Sequence, residues 1–240
     1  MGNVIASTEQ MIEKINDVLK TKKNAVVNIV NDKLTLSVFA LLEQNLKNVK
    51  EINFVIRDTK YVPEKSEISH EFEMTPADIL YSSYDIVEKN KLKHFAKAKS
   101  MHDFIEANVN VKRANPKVKI GGNIIIIDDD FMIQGSSSLE VSPKKKGNAF
   151  RNINFDTMLT DTMDKDQILS SLNIFNQIWF NDQVSSDYKE ELLQSLSFVY
   201  KEHSPEFLYY FTLNELFGYQ IDNGVERFER DSEKFKKTQI

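Results

Sequence analysis

The chain of 240 residues has no cysteine at all. A disulfide scaffold and cysteine-ligated zinc are therefore excluded, and the absence fits a reducing compartment. Long apolar runs are missing too. No stretch approaches the roughly 18 consecutive apolar residues of a membrane helix, and the N-terminus lacks the apolar centre of a secretory signal. The expectation is a cytoplasmic chain without membrane contact. Nucleotide-binding glycine patterns are absent, so this segment should hold no ATP or dinucleotide through a Walker or Rossmann loop. Histidine is sparse, at four residues (His70, His94, His102, His203), and none stands in a zinc-ligand spacing. Each reads as a surface or capping residue. No metal or cofactor is expected.

What is present is ordinary for a globular protein. Hydrophobic residues make up 41% and charged residues 28%, which suits one medium α/β domain or a domain with a helical appendage. The net charge of −5 excludes a surface that attracts nucleic acid everywhere. Locally the balance reverses. Between Val87 and Lys119 stand nine basic residues (Lys89, Lys91, Lys93, Lys97, Lys99, Lys112, Arg113, Lys117, Lys119) against three acids, and Lys144-Lys145-Lys146 follows. Gathered on one face, they could bind phosphates. Scattered over solvated helices, they would not.

Apolar spacing predicts helices over Thr8 to Lys20 and Leu34 to Leu46, with strands at Ala25 to Val30 and Glu51 to Arg57. That β-α-β order implies neighbouring parallel strands with a right-handed crossover. Thr59 to His70 reads as a loop and Ala77 to Lys89 as helical. Phe95 to Ala107 reads as a helix with Phe95, Met101, Phe104 and Ile105 inward, followed by a strand at Asn108 to Arg113. Ile124 to Ile127 suits a strand buried on both faces. It turns at Asp128-Asp129-Asp130, a polar turn in preference to a cation site, and returns as Phe131 to Gln134. A further strand is expected at Asn154 to Leu159. Helices are expected at Asp164 to Phe180, Asp187 to Glu202 and Pro205 to Phe217, the last with Ser204 and Pro205 as start signals. These should bury Leu169, Leu172, Phe175, Trp179, Leu192, Leu196, Val199, Phe207, Phe211 and Leu216. The fold class is α/β: a mixed sheet flanked by helices over residues 1–162, then a helical extension over 163–240.

Glycine, with seven residues, clusters at 121, 122, 135 and 147 around this turn, as close backbone approach or positive φ would require. The layout strand, turn, strand, Gly135-Ser136-Ser137-Ser138 matches the framework of the phospholipase D element H-x-K-x4-D-x6-G-S-x-N. With Asp128 as its Asp, Gly135 and Ser136 supply its Gly-Ser. Its His falls on Gly121, its Lys on Asn123 and its Asn on Ser138. Ser136, Ser137 and Ser138, with Asn123 and the nearby Lys117 and Lys119, form a candidate phosphate site. The alternative is small turn-forming serines.

The chain resembles the phospholipase D-like region that precedes the motor in bacterial Snf-type helicases. Lys33-Leu34-Thr35-Leu36-Ser37-Val38-Phe39-Ala40-Leu41-Leu42 is similar to that family's first crossover helix. Met101 to Glu106 and Val109 to Arg113 are similar to its approach to the motif. Asn154-Phe155-Asp156 matches its downstream Asn-x-acid. Phe175-Asn176-Gln177-Ile178-Trp179-Phe180 and Ser204-Pro205-Glu206-Phe207-Leu208-Tyr209-Tyr210 resemble a helical stretch that simple phospholipase D-like nucleases lack. The resemblance spans most of residues 25 to 240, and a sequence like Phe235 to Ile240 stands just before the family's motor.

In an intact member the His is a covalent nucleophile, and a second element supplies the acid, by homodimerisation in single-copy chains. The resemblance thus implies a scaffold without chemistry: a degenerate accessory domain that binds nucleic acid or forms a homodimer. DNA-dependent ATPase activity, with ATP and Mg, would belong only to a longer parent. A phosphodiesterase or nuclease with an atypical nucleophile is the alternative, and a purely structural module for the motor is a third.

Overall fold

The structure, a computed structural model, describes residues 3–57, 79–80, 92–115, 117–140 and 155–200. The chain divides after Tyr200 into two units, and every described residue lies in the first. Its strands are β1 (Asn3–Ile5), β2 (Ala25–Asn31), β3 (Val49–Ile56), β4 (Val109–Ala114), β5 (Asn123–Ile127), β6 (Phe131–Gly135), β7 (Asp156–Thr160) and β8 (Ser185–Asp187). Its helices are α1 (Thr8–Thr21), α2 (Leu36–Leu46), α3 (Leu92–Asn108), α4 (Asp161–Trp179) and α5 (Lys189–Tyr200). The fold is mixed α/β, with one open eight-stranded sheet in the order β1-β7-β6-β5-β2-β3-β4-β8.

The expected crossover is present: β2, α2 and β3 follow in order, and β2, β3 and β4 run parallel. The remaining pairings are antiparallel. Ser7 starts α1 by accepting the Gln10 N–H at 3.3 Å, while Gln10 Oε1 accepts the Ala6 N–H at 3.0 Å, a close variant of a capping box. Thr35, not Leu34, caps α2. Leu34 instead bridges Leu139.

Strand alternation sorts the side chains onto two faces. Val27, Ile29, Phe54, Ile56, Val111, Ile125 and Ile127 face the main core, where α1, α2, α3 and α5 cover them. Val30, Val55, Ile126, Met132 and Leu159 face the other way, toward Ile168 and Phe175 of α4. The isoleucine strand is buried on both faces as expected, except that Ile124 is half-buried. Three asparagines in register across the parallel strands satisfy one another. Asn53 donates to Asn28 at 3.1 Å and Asn110 to Asn53 at 3.0 Å, which explains a residue type otherwise disfavoured in strands.

Several expectations need correction. Leu169 is 38% exposed, and its neighbour Ile168 is fully buried in its place. Ile168, Leu172, Phe175 and Trp179 recur at i, i+4, i+7 and i+11, the face that meets the sheet, and Leu169 is one residue off it. The helix starts anew at Asp164 as expected: its backbone is non-helical and its Oδ1 accepts the Gln167 N–H at 3.0 Å. Asp187 does not open a helix: it ends β8, which joins the sheet edge beside β4. Leu172, Trp179 and Phe104 are only half-buried, whereas Phe175, Leu192, Leu196, Met101 and Ile105 are buried as expected. The side chains of Phe95 and Val199, and Phe207, Phe211 and Leu216 altogether, lie outside the described residues, as do the segments 59–70 and 205–217. Among the described residues no helix is long and apolar enough to cross a membrane.

At the β5–β6 turn Asp128 adopts φ 53°, which Asp tolerates better than most residues. Its Oδ1 accepts the Val26 N–H at 2.9 Å. Lys22 Nζ stands 3.0 Å from Asp128 Oδ2 and 2.5 Å from Asp130 Oδ2. Burial alone would lower the Lys22 pKa, but hydrogen bonds and charge attraction from Asp130 and Asp128 together raise it above 10.5. A raised folded-state pKa stabilises the fold fully below the unfolded value and is lost as pH climbs through the folded one.

Two outcomes are expected. In urea denaturation Ile168→Ala should cost about 2–5 kcal/mol and Leu169→Ala under about 1 kcal/mol; equal costs would refute Ile168 as the buried member of the pair. Lys22→Met should lower Tm by a constant amount from neutral pH up to 10.5, where the Asp128 and Asp130 carboxylates are ionised, and the difference from wild type should shrink above it.

Candidate functional site

The parallel strands β2 and β3 end at Asn31 and just before Arg57, and there they meet the start of β5 and the end of β6. The carboxyl ends of parallel strands are where ligand crevices form in α/β sheets. The structure brings Asn123, Gly135, Ser136, Ser137 and Ser138 together at this end. It does not bring Asp128, which lies at the opposite end of β5, roughly 16 Å away by strand rise. Its carboxylate is engaged by the Val26 N–H and Lys22.

The polar groups here are bonded to one another. Asn123, 5% exposed, accepts Arg57 Nε at 2.5 Å and donates to the Ser137 carbonyl at 2.9 Å. Arg57 Nη1 also donates to the Ile120 carbonyl at 3.2 Å. Asn31, fully buried, donates to the Ser137 carbonyl at 3.1 Å, and its Oδ1 accepts the Leu139 N–H at 3.1 Å. The Ser138 hydroxyl donates to Asp32 Oδ2 at 2.9 Å. Asp156, 1% exposed, takes the backbone N–H groups of Ser136 and Ser137 at 2.8 and 3.0 Å and the Ser137 hydroxyl as well. Of the residues expected to hold phosphate, Asn123, Ser136, Ser137 and Ser138 thus each make internal bonds. Lys117 and Lys119 are exposed.

Gly121 lies exposed on the rim of a groove of about 520 Å³ whose walls include Ile120, Ile124, Phe155, Ile174 and Ile178. Phe155 and Ile174 are 75% and 58% exposed there. A Cβ on Gly121 would meet nothing within 4 Å, whereas a Cβ on Gly135 would overlap Asp156 Oδ1 and come within 2.7 Å of the Asp156 Cα and the Phe155 carbonyl oxygen.

Sequence reasoning did not single out Arg57 or Asn31. Their signal was position, at the carboxyl ends of two strands predicted to be parallel. Asp156 appeared there only as a family match, not as the partner of the loop. Of the histidines, only His102 has a described side chain. It groups with Asp103 and Glu106 on α3, with potential ligand atoms within 4.8 Å of one another. Two of the three are exposed, and the group is remote in sequence from the loop.

Chemically, the site offers hydrogen-bond donors already committed to a carboxylate, one guanidinium committed to an amide and a carbonyl, and no nucleophile at position 121. Gly135→Ala should cost about 3 kcal/mol through overpacking, and Gly121→Ala less than about 0.5 kcal/mol, both read from thermal or urea unfolding. A tolerated Gly135→Ala would mean that the loop does not wrap onto Asp156.

No protein-family model and no curated protein matches this chain. Solved structures similar to it include Nuc, a phospholipase D family member from Salmonella typhimurium, at 12% identity and a TM-score of 0.43, covering 78% of this chain and 99% of that one. NucT from Helicobacter pylori is 14% identical with a TM-score of 0.40, over 78% and 99%. The phosphatidylserine synthase of Haemophilus influenzae is 16% identical with a TM-score of 0.43, over 94% of this chain and 46% of that one. At these scores the likenesses carry no weight of their own.

Proposed function

We propose that this chain is a catalytically inert phospholipase D-like accessory module, and that it acts by pairing with a second copy through the groove beside Gly121. The observation that carries the first part is Gly121 itself. Covalent phosphoryl transfer needs a side-chain nucleophile, and the register of the motif puts a residue without a side chain there. Asn123 at the lysine position has its amide oxygen taken by Arg57 and its amide nitrogen by the Ser137 carbonyl.

Pairing is favoured over nucleic-acid binding by the character of the two surfaces. The groove is lined largely by apolar residues, with an exposed Phe155 ring and the side-chain-free Gly121 and Gly122 in its lining. A two-fold interface needs knob and hole on the same patch. The basic window, by contrast, is divided. Lys112 and Arg113 are consecutive on β4 and point to opposite faces. Lys112 donates to the Trp179 carbonyl at 2.8 Å, and the Arg113 guanidinium lies 5.1 Å over the Tyr188 ring. Nucleic acid is therefore a secondary partner in this reading. By resemblance, the module belongs N-terminal to an Snf-type helicase motor in the cytoplasm, and ATP and Mg act only in that motor.

Sedimentation equilibrium should show a dimer that Ile174→Glu or Phe155→Glu converts to monomer; a monomeric wild type overturns the pairing. Bis-p-nitrophenyl phosphate should be hydrolysed no faster than in buffer, with or without divalent metal. Turnover that follows the folded chain through purification and falls in Asn123→Ala would overturn the inert reading. Filter binding to DNA across a salt series should show at most weak, salt-sensitive retention. DNA-stimulated ATP hydrolysis by the intact gene product tests the helicase assignment.

A further inference from the structure

A carboxylate as deeply buried as that of Asp156 needs hydrogen-bond donors, and among the described residues those that reach it come from one loop. One oxygen receives two successive backbone N–H groups, from Ser136 at 2.8 Å and Ser137 at 3.0 Å, and the other receives the Ser137 hydroxyl. Successive N–H groups converging on one oxygen make a concave anion-binding nest. The loop is drawn so tightly onto its occupant that residue 135 has no room for a Cβ. The nest is also held from outside. Asn31 and Asn123 both donate to the Ser137 carbonyl, at 3.1 and 2.9 Å, and Asn31 accepts the next N–H but one, from Leu139. The donors therefore stay aimed inward.

We propose that the Ser136–Ser137 loop is an oxyanion-binding nest whose resident ligand is the chain's own Asp156 carboxylate, so that native protein refuses inorganic phosphate there and accepts it once that carboxylate is removed. Asp156 occupies the nest as a tethered competitor. Its effective concentration is fixed by the chain, so free phosphate cannot displace it at ordinary concentrations. Arg57, bonded to the same Asn123 that braces the nest, places a cation nearby. The inference holds whether or not the module forms dimers.

The test compares the whole chain as wild type, Asp156→Ala and Asp156→Asn, in sodium phosphate and in sodium chloride of equal ionic strength. The readouts are Tm and the amide cross-peaks of Ser136 and Ser137. Wild type should show only the general Tm rise that excluded phosphate gives any protein, with neither cross-peak shifting, and that rise is subtracted from every variant's. Asp156→Ala should melt at least about 2 °C higher in phosphate than in chloride, with both cross-peaks shifting. Formate, which restores a carboxylate without the tether, should give the same rescue. Asp156→Asn keeps a tethered acceptor oxygen in the nest without charge, so it should fold in chloride and, like wild type, show no phosphate-specific shift of these cross-peaks. A folded Asp156→Ala that ignores both phosphate and formate overturns the proposal, as does a wild type whose Ser136 and Ser137 amides shift with phosphate. If Asp156→Ala folds in none of these buffers, Asp156→Ser, whose shorter side chain leaves the nest unfilled, decides: a phosphate-specific shift of the Ser136 and Ser137 cross-peaks supports the nest, and none refutes it.

Discussion

Taking a carboxylate and two side-chain amides out of water obliges the surrounding backbone to meet them. Asp156, Asn31 and Asn123, at 1%, 0% and 5% exposure, impose that demand at one end of the sheet. Their bonds link the end of β2, the start of β5, the loop after β6 and the start of β7, and Arg57 adds the end of β3. Breaking any one contact would leave a buried donor or acceptor unsatisfied, a cost of about 1–3 kcal/mol. The network is therefore cooperative, and it fixes the loop conformation before any ligand is considered. The same economy removes the loop from chemistry, because donors that hold Asp156 are not offered to solvent.

The surface that remains open is of another kind. Beside the closed loop lies an apolar groove with two prominent hydrophobic side chains, Phe155 and Ile174. Exposed apolar groups gathered on one patch mark contact surfaces more often than catalytic ones. Interior polarity and surface apolarity thus agree. The backbone donors of the Ser136–Ser137 loop point inward and are satisfied, and the apolar side chains that face outward suit a protein surface.

Much of the fold was legible because burial dictates periodicity. Alternation and β-branched runs located β2, β3, β4, β5 and β6, and the intervening helix made β2 and β3 parallel. The three-residue strands β1 and β8 were not legible, since three residues carry no period and are fixed only by their partners Asp156–Met158 and Lys112–Ala114. Leu169 was misassigned because it and Ile168 are adjacent apolar residues, and only Ile168 falls at i, i+4 and i+7 with Leu172 and Phe175, the face that meets the sheet. In the site, the Gly135-Ser136 loop was legible, but its occupant was not. Asp156 stands 19 and 20 residues from the serines it binds, and nothing local in either segment announces the pair.

The persistence of a Gly-Ser pair inside a motif without its nucleophile has a steric explanation that needs no chemistry. Gly135 is required because β7 passes so close that a methyl group there would overlap Asp156. Asp128 is required by a turn with positive φ and by Lys22 and the Val26 N–H, at the far end of the strand. These two motif positions serve the backbone and would be demanded by the fold whether or not it catalysed anything. Positions 121 and 123 are different. At Gly121 a side chain has open space and is simply not supplied, and at Asn123 a neutral amide completes a network that an ammonium, which donates but cannot accept, would break. Asn123 must accept from Arg57 and donate to Ser137 at once. Gly135 and Asp128 are thus set by the sheet and its turn, and Asn123 by the two hydrogen bonds it must make at once, so the residues at all three positions answer to packing within this fold.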